Sequence, residues 1–295
     1  MPGMRYQLNR SRGATRITPE KWLAVRAALT DVRDRFEAMV ADADPRAMAT
    51  ADWTVMDTAA HVTAIAWLYT AMVVSDDTPL PIPDFRGVIR TTTVDNIHGG
   101  LNVQMLRGYG EREPGAVLTR LHSCTDEILR LTAGEDPSRT FSWLGGSRLP
   151  LAGIMAHLTN ELLLHGRDIA RSVGAPWRIP EEYAALFFEL FLVEIMRNGL
   201  GALLDDDRPI RPGRIAVEFR SAYTTPVTMV LDAGRVSIEE PSRDNDVRVY
   251  FKPATMSLVL FHYITRTRAA MTGSLRVWGR RPWLLMPFLR KVRLP

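Results

Sequence analysis

Glu161 and His165 sit where an ordinary bundle helix would place two more leucines. They stand in the run His157-Leu-Thr-Asn-Glu161-Leu-Leu-Leu-His165-Gly166-Arg167-Asp168. Their spacing is one helical turn, so both point from one face. Ile154, Leu158, Glu161, His165 and Asp168 follow the alternating spacing of four and three that marks a buried helical stripe. His61 lies on a second such stripe, Thr58, His61, Ile65, Leu68, Met72. Two histidines and one glutamate on inward helix faces are how a helical bundle builds an internal metal site. Zinc uses this ligand set in catalytic sites and keeps a fourth position open. The competing readings are a hydrogen-bonded core histidine at His61 and a buried ion pair at Glu161 and His165. A carboxylate buried without compensation is costly, which favours a partner of some kind.

The 295-residue chain is long enough for one large domain or two ordinary ones. Hydrophobic residues at 46% supply a core, and charged residues at 24% argue against wholesale disorder. The start, Met-Pro-Gly-Met-Arg-Tyr-Gln, has no apolar core and no cleavage signature, so no signal peptide is expected. No stretch approaches the roughly 18 uninterrupted apolar residues of a membrane span. No membrane association is therefore expected. Cys124 is the only cysteine, which excludes an internal disulfide and fits a reducing cytoplasm. The net charge of +4 is carried mostly by arginine, since lysine occurs only at positions 21, 252 and 291. Acidic residues are interspersed along most of the chain, which argues against a nucleic-acid partner.

The helical half is expected to span residues 18–205, behind a loose basic arm at 1–17. Thr18-Pro19-Glu20 reads as a cap, a first-turn proline and a first-turn acid, opening a helix to about Asp42. Thr54-Val-Met-Asp57 is a capping-box-like start for the His61 helix, which runs to about Val74. Prolines and aspartates make Ser75 to Arg90 a loop. Further helices are expected over Val94–Tyr109, Ala116–Thr132, Pro150–Gly174 and Pro180–Leu204, with Ser142–Leu149 as a turn. Asp205 to Gly213 is a connector. Beyond it the period becomes two, and strands are expected at Arg214–Arg220, Pro226–Leu231, Arg235–Glu239 and Asp246–Phe251. Ala233-Gly234 reads as a hairpin turn. A helix over Pro253–Tyr263, a strand over Met271–Val277 and a final helix over Pro282–Val292 complete a small α+β domain at 213–295. In that last helix Trp283, Leu284, Met286, Phe288 and Leu289 are expected to pack on the sheet.

Asp52-Trp53-Thr54-Val55-Met56-Asp57-Thr58-Ala59-Ala60-His61 resembles the Gly-Trp-Thr-Val-x-Asp-x-x-x-His segment of DinB-like metal-binding helical bundles. Glu161-Leu-Leu-Leu-His165-Gly166-Arg167-Asp168-Ile169-Ala170 resembles the second half of that site, in the form typical of the mycothiol-dependent maleylpyruvate isomerase family. Asp246-Val-Arg-Val and Met271-Thr-Gly273-Ser-Leu-Arg-Val-Trp-Gly279-Arg are similar to the sterol carrier-type domain that often follows it. The resemblance implies a two-domain protein, with a DinB-like four-helix-type bundle and a sterol carrier-like α+β domain. It implies His61, Glu161 and His165 as ligands of zinc or another divalent ion, and a low-molecular-weight thiol such as mycothiol as cofactor. It further implies isomerisation of, or thiol transfer to, a small electrophilic substrate; a monomer or homodimer is expected. In the isomerisation, thiol addition to a cis double bond is followed by rotation and elimination. Asp168 would orient the His165 imidazole. His157 could be a fourth ligand, an outer partner or a surface residue. Arg86 and Arg90 could hold a substrate carboxylate. Many members have a bulky aromatic where this chain has Arg167. The alternative is a non-catalytic metal-binding scaffold whose C-terminal domain carries an apolar ligand. Cys124 has only His122 nearby, on another helix face, and reads as an incidental thiol.

Overall fold

The computed structural model describes residues 17–74, 85–210 and 212–293. Most of the expected N-terminal arm lies outside them. Helix α1 (Pro19–Ala41) opens as the sequence predicts: the Thr18 hydroxyl accepts from the Lys21 amide, and Pro19 holds the first turn. Helix α2 (Val55–Val74) is set by a reciprocal box. The Thr54 amide donates to the Asp57 carboxylate at 3.1 Å, and the Asp57 amide donates to the Thr54 hydroxyl at 3.1 Å. That box fixes the phase of α2 and so aims His61 inward.

Residues 85–90 depart from the expected loop. Phe85–Thr91 form a short helix, α3, continuing to α4 (Val103–Gly108) through a wide turn at His98–Asn102. Only residues 75–84 of the expected loop lie outside the described residues. Helix α5 (Pro114–Leu131) is capped by Glu113. The expected turn at 142–149 is the tip of a hairpin, β1 (Thr140–Ser142) against β2 (Arg148–Pro150). Helix α6 (Leu151–Val173) then crosses the bundle centre, packed on α1 and α2. Its Gly166 is required by a close approach. A Cβ there would meet the Trp177 ring at 2.2 Å, and the Trp177 indole donates to the Leu163 carbonyl at 2.8 Å.

The expected helix at 180–204 is shorter and not uniform. It consists of α7 (Glu181–Leu186), a π-geometry stretch at Phe187–Val193 and α8 (Glu194–Asn198). Wide turns of this kind re-aim side chains. Here Phe187 and Phe191 stack at 5.0 Å, and both rings lie against His157.

The C-terminal region is a five-stranded sheet in the order β5-β4-β3-β6-β7. Its strands are β3 (Ile215–Arg220), β4 (Val227–Asp232), β5 (Arg235–Glu239), β6 (Val247–Phe251) and β7 (Leu275–Trp278). Strands β3 and β6 are parallel and the other neighbours antiparallel. Asp232 pairs with Arg235 around Ala233-Gly234, whose φ values of 44° and 78° are those of a two-residue type I′ hairpin.

The expected helix at 253–263 ends early, as α9 (Pro253–Leu260), and a second helix follows, α10 (Arg266–Met271), capped by the Thr265 hydroxyl. Met271 therefore ends a helix rather than starting a strand. The tail turns at Pro282–Leu284 and runs into α11 (Leu285–Lys291). Leu284 and Phe288 are buried, but Trp283 and Met286, expected to pack, are 66% and 49% exposed.

The two regions share their core. Phe188 from the helical region packs, tilted, against Phe251 at 4.6 Å and Phe219 at 5.9 Å, while Phe288 meets Phe219 at 6.4 Å. The face of the sheet is thus filled by aromatic rings. Polar contacts cross the same boundary. The Ser257 hydroxyl donates to Asn160 at 2.8 Å, and the Tyr263 hydroxyl donates to Asp168 at 2.6 Å. Among the described residues, no helix is long and apolar enough to cross a membrane.

Candidate metal centre

His61, Glu161 and His165 are brought together by α2 and α6. Each offers one ligand atom, and the three atoms lie within 4.8 Å of one another. Glu161 Oε2 is 3.4 Å from His165 Nε2 and 3.8 Å from His61 Nε2. Zinc–nitrogen and zinc–oxygen bonds of about 2.0–2.2 Å put tetrahedral donors about 3.3–3.6 Å apart. The Glu161–His165 distance falls in that range and the Glu161–His61 distance lies just above it, so small side-chain shifts would fit the group to a small divalent ion, and two imidazoles plus a carboxylate are the right donor chemistry. The centre is buried: His61 is 3% exposed and Glu161 9%. The Trp53 ring lies 4.7 Å from His61 and 6.1 Å from His165, walling one side.

A line of polar partners surrounds the three side chains. His165 Nδ1 lies 3.3 Å from Asp168 Oδ2, which in turn accepts the Tyr263 hydroxyl from the C-terminal region. His157 Nε2 lies 3.5 Å from Glu161 Oε1. Its other nitrogen is 3.0 Å from the Tyr69 hydroxyl, which accepts from the Trp143 indole at 3.2 Å. His157 is thus an inward residue on the far oxygen of Glu161, within an aromatic box of Tyr69, Trp143, Phe187 and Phe191. It is not on the surface, and it does not share the close three-atom cluster.

The charges are tightly coupled. Burial would raise the Glu161 pKa, but the neighbouring His165, His61 and His157 imidazoles outweigh it and hold the carboxyl well below the usual range. Burial works against a charged His165, yet Asp168 and Glu161 push it up to about 9. Burial pushes His157 down, against the pull of Glu161. Burial, aided by the Asp168 charge, pushes the Tyr263 phenol up, so it stays a donor.

The remaining candidates lie elsewhere. Arg90 is exposed near the end of α3, with no hydrogen bond or ion pair to the cluster among the described residues. The Arg86 side chain lies outside the described residues. Cys124 is buried, and burial pushes its thiol up, the opposite of activation. A second group, Asp34, Glu37 and His122, is more exposed, and Arg33 pairs with Asp34 at 2.7 Å. A guanidinium inside the group opposes a cation there.

Trp53, Tyr69 and Tyr263 were not among the residues expected from sequence to shape the site. Trp53 was in plain view in the first motif. Tyr263 reaches Asp168 from 95 positions away, and nothing local to either residue announces the contact.

No protein-family model matches the chain, and no curated protein matches it. Among solved structures it is similar to the crystal structure of the mycothiol-dependent maleylpyruvate isomerase. The TM-score is 0.46 at 13% identity, covering 80% of this chain and 87% of that one. A second structure of that enzyme, carrying a histidine-to-alanine substitution, matches with the same values. This is a loose likeness of overall architecture.

Proposed function

We propose that the protein is a divalent-metal enzyme that uses a low-molecular-weight thiol, of the mycothiol kind, to isomerise or thiolate a small electrophilic substrate. The observation that carries this reading is the buried cluster of two imidazoles and one carboxylate at ligand spacing. The two sequence motifs that contain those residues support the thiol part. His61, Glu161 and His165 would hold the ion, with zinc the best fit to this donor set. A divalent ion in that place would supply the Lewis acidity that keeps a thiol ionised near neutral pH.

The protein's own groups have separable tasks. Asp168 would orient His165 from 3.3 Å beyond Nδ1, with Nε2 facing the centre. Tyr263 fixes Asp168 by donating to the oxygen nearest His165. His157 sits against the second oxygen of Glu161, leaving Oε2 towards the two other ligands. Trp53 excludes water from one side of the cluster.

The test is metal analysis of the protein purified without chelator, together with turnover of a cis-configured conjugated acid in the presence of thiol. About one zinc per chain, lost in His61→Ala, and thiol-dependent turnover are expected. A protein that takes up no zinc even when it is supplied, or a His61→Ala variant that keeps it, would sink the metal reading. Turnover unaffected by omitting the thiol would sink the thiol reading alone.

A further inference from the structure

Arg167 and Arg171 stand one turn apart near the end of α6, beyond the metal ligands. Arg268 faces them from α10. Between them lies a cleft of about 570 Å³, with Leu258 and Ile264 as its apolar lining and Thr255, Thr272 and Ser274 contributing hydroxyls. Tyr263 forms one wall, and the Arg167 guanidinium lies over its ring at 4.9 Å.

This concentration of positive charge is uncompensated. Several other arginines answer carboxylates, such as Arg112 with Asp57, Arg33 with Asp126 and Arg281 with Asp246, while Arg26 and Arg148 bond neutral oxygens singly rather than in a cluster. Among the described residues no carboxylate pairs with Arg167, Arg171 or Arg268, and none lines the cleft. The NH1 nitrogen of Arg167 is buried without a hydrogen-bond acceptor. A buried donor left unmade costs stability, and nearby arginines repel one another, so the arrangement is explained by an acceptor that enters the cleft.

We propose that this cleft binds the phosphate group of a phosphate monoester. A single carboxylate offers one charge and one fork, which one guanidinium satisfies. A phosphate monoester carries nearly two charges and three strong acceptor oxygens, matching three guanidinium groups with hydroxyl donors beside them. Leu258 and Ile264 would meet the apolar body of the ester. The site does not depend on the metal reading. It shares Tyr263 with the line Tyr263–Asp168–His165, so an occupant would brace that contact from outside.

The test is calorimetric titration of the full-length protein with inorganic phosphate, at ionic strength held constant with chloride. One saturable site is expected. Arg171→Ala and Arg268→Ala should each weaken it by about tenfold, the scale of one lost charge-assisted contact. Arg276→Ala serves as control, because that side chain lies over Tyr250 outside the cleft. Both tested arginines are exposed, so folding should survive, as circular dichroism would confirm. If either alanine variant fails to fold, Arg171→Lys and Arg268→Lys replace it and should still weaken binding, since they keep the charge and lose the fork. No saturable binding would overturn the proposal. So would equal weakening in Arg276→Ala, or succinate binding as tightly as phosphate, which would mark a general anion patch.

Discussion

Each half of the molecule buries a carboxylate among basic partners, and the partners differ in kind. In the helical half Glu161 is surrounded by His61, His157 and His165. In the sheet half Glu218, fully buried on β3, accepts from Arg220, from Arg248 at 3.2 Å and from the Asn245 amide at 3.1 Å. A guanidinium is always protonated and has donors but no lone pair to give, so the Glu218 group can only be an ion pair. An imidazole can release its proton and offer a nitrogen lone pair, so the Glu161 group can exchange protons for a metal ion. A buried carboxylate says little about function by itself. The chemistry of its partners decides whether it is structure or site.

The sharpest way to break that contrast is to remove one imidazole. His61→Ala should cost more than about a hundredfold in zinc affinity, beyond the 10–100-fold typical of outer partners, and thiol-dependent turnover should fall with it. Zinc retained at wild-type affinity would place Glu161 in the same class as Glu218.

The next test compares the two glutamates directly. Saturating zinc, at about 100 times its dissociation constant, should stabilise the wild-type protein by about 2.7 kcal/mol. Glu161→Gln should lose most of that gain. Glu218→Gln should keep it, while losing about 2 kcal/mol of stability in both states. That figure is discounted from the ~3–5 kcal/mol of a broken buried pair because Arg220 is half-exposed. Thermal unfolding with and without zinc measures both. A zinc gain that vanished in Glu218→Gln would end the comparison.

In the chelated protein alkali should act through His165 in the helical half, whereas acid acts through carboxylates in both halves, Glu161 and Glu218. Burial would raise the Glu218 pKa, but its Arg220 and Asn245 partners hold it below the ordinary 4.5. Its contribution is present above that unfolded value and is lost as pH falls through the folded one. His165 is the reverse case. Its pKa rises from 6.5 to about 9, so its contribution is full below 6.5 and is lost as pH rises through 9. Glu218→Gln should therefore reduce the acid limb of the stability profile, leaving the Glu161 share, and His165→Gln should flatten the alkaline limb. Denaturant midpoints across pH would reveal either limb left unchanged.

The sequence carried the architecture well and the joints poorly. The Thr54–Asp57 box, the polar stripe on α6 and the change of period after residue 205 each act through neighbours in sequence, so their consequences could be read there. The Thr265 cap was equally local, yet the apolar run at 258–261 looked like a continuing helix and hid it. Phe187–Val193 reads as regular helix because a wide turn is imposed by packing rather than by any breaker residue. Trp283 and Met286 read as inside because so small a domain offers the tail's apolar residues no other surface. In fact Leu284 and Phe288 satisfy the sheet, with Phe188 arriving from the other region. Contacts between the regions had no local signal at all.

The smallest expected effect tests one of those contacts. Tyr263→Phe removes only the hydroxyl that donates to Asp168 at 2.6 Å and leaves the ring that Arg167 covers. Asp168 would keep its place beside His165 Nδ1 but lose a charge-assisted bond, worth about 1.5–3 kcal/mol when the partner is ionised. Part of that loss returns through water, because the contact is only part-buried. Zinc affinity should therefore weaken by about tenfold, the low end for a partner of a ligand, with little change in the ligand set itself. Global stability should fall by about 1 kcal/mol. Asp168→Asn should weaken zinc at least as much, and combining it with Tyr263→Phe should add little, since both act through the same imidazole. Fully additive losses would mean that Tyr263 merely joins the two regions, and that the metal centre belongs to the helical half alone.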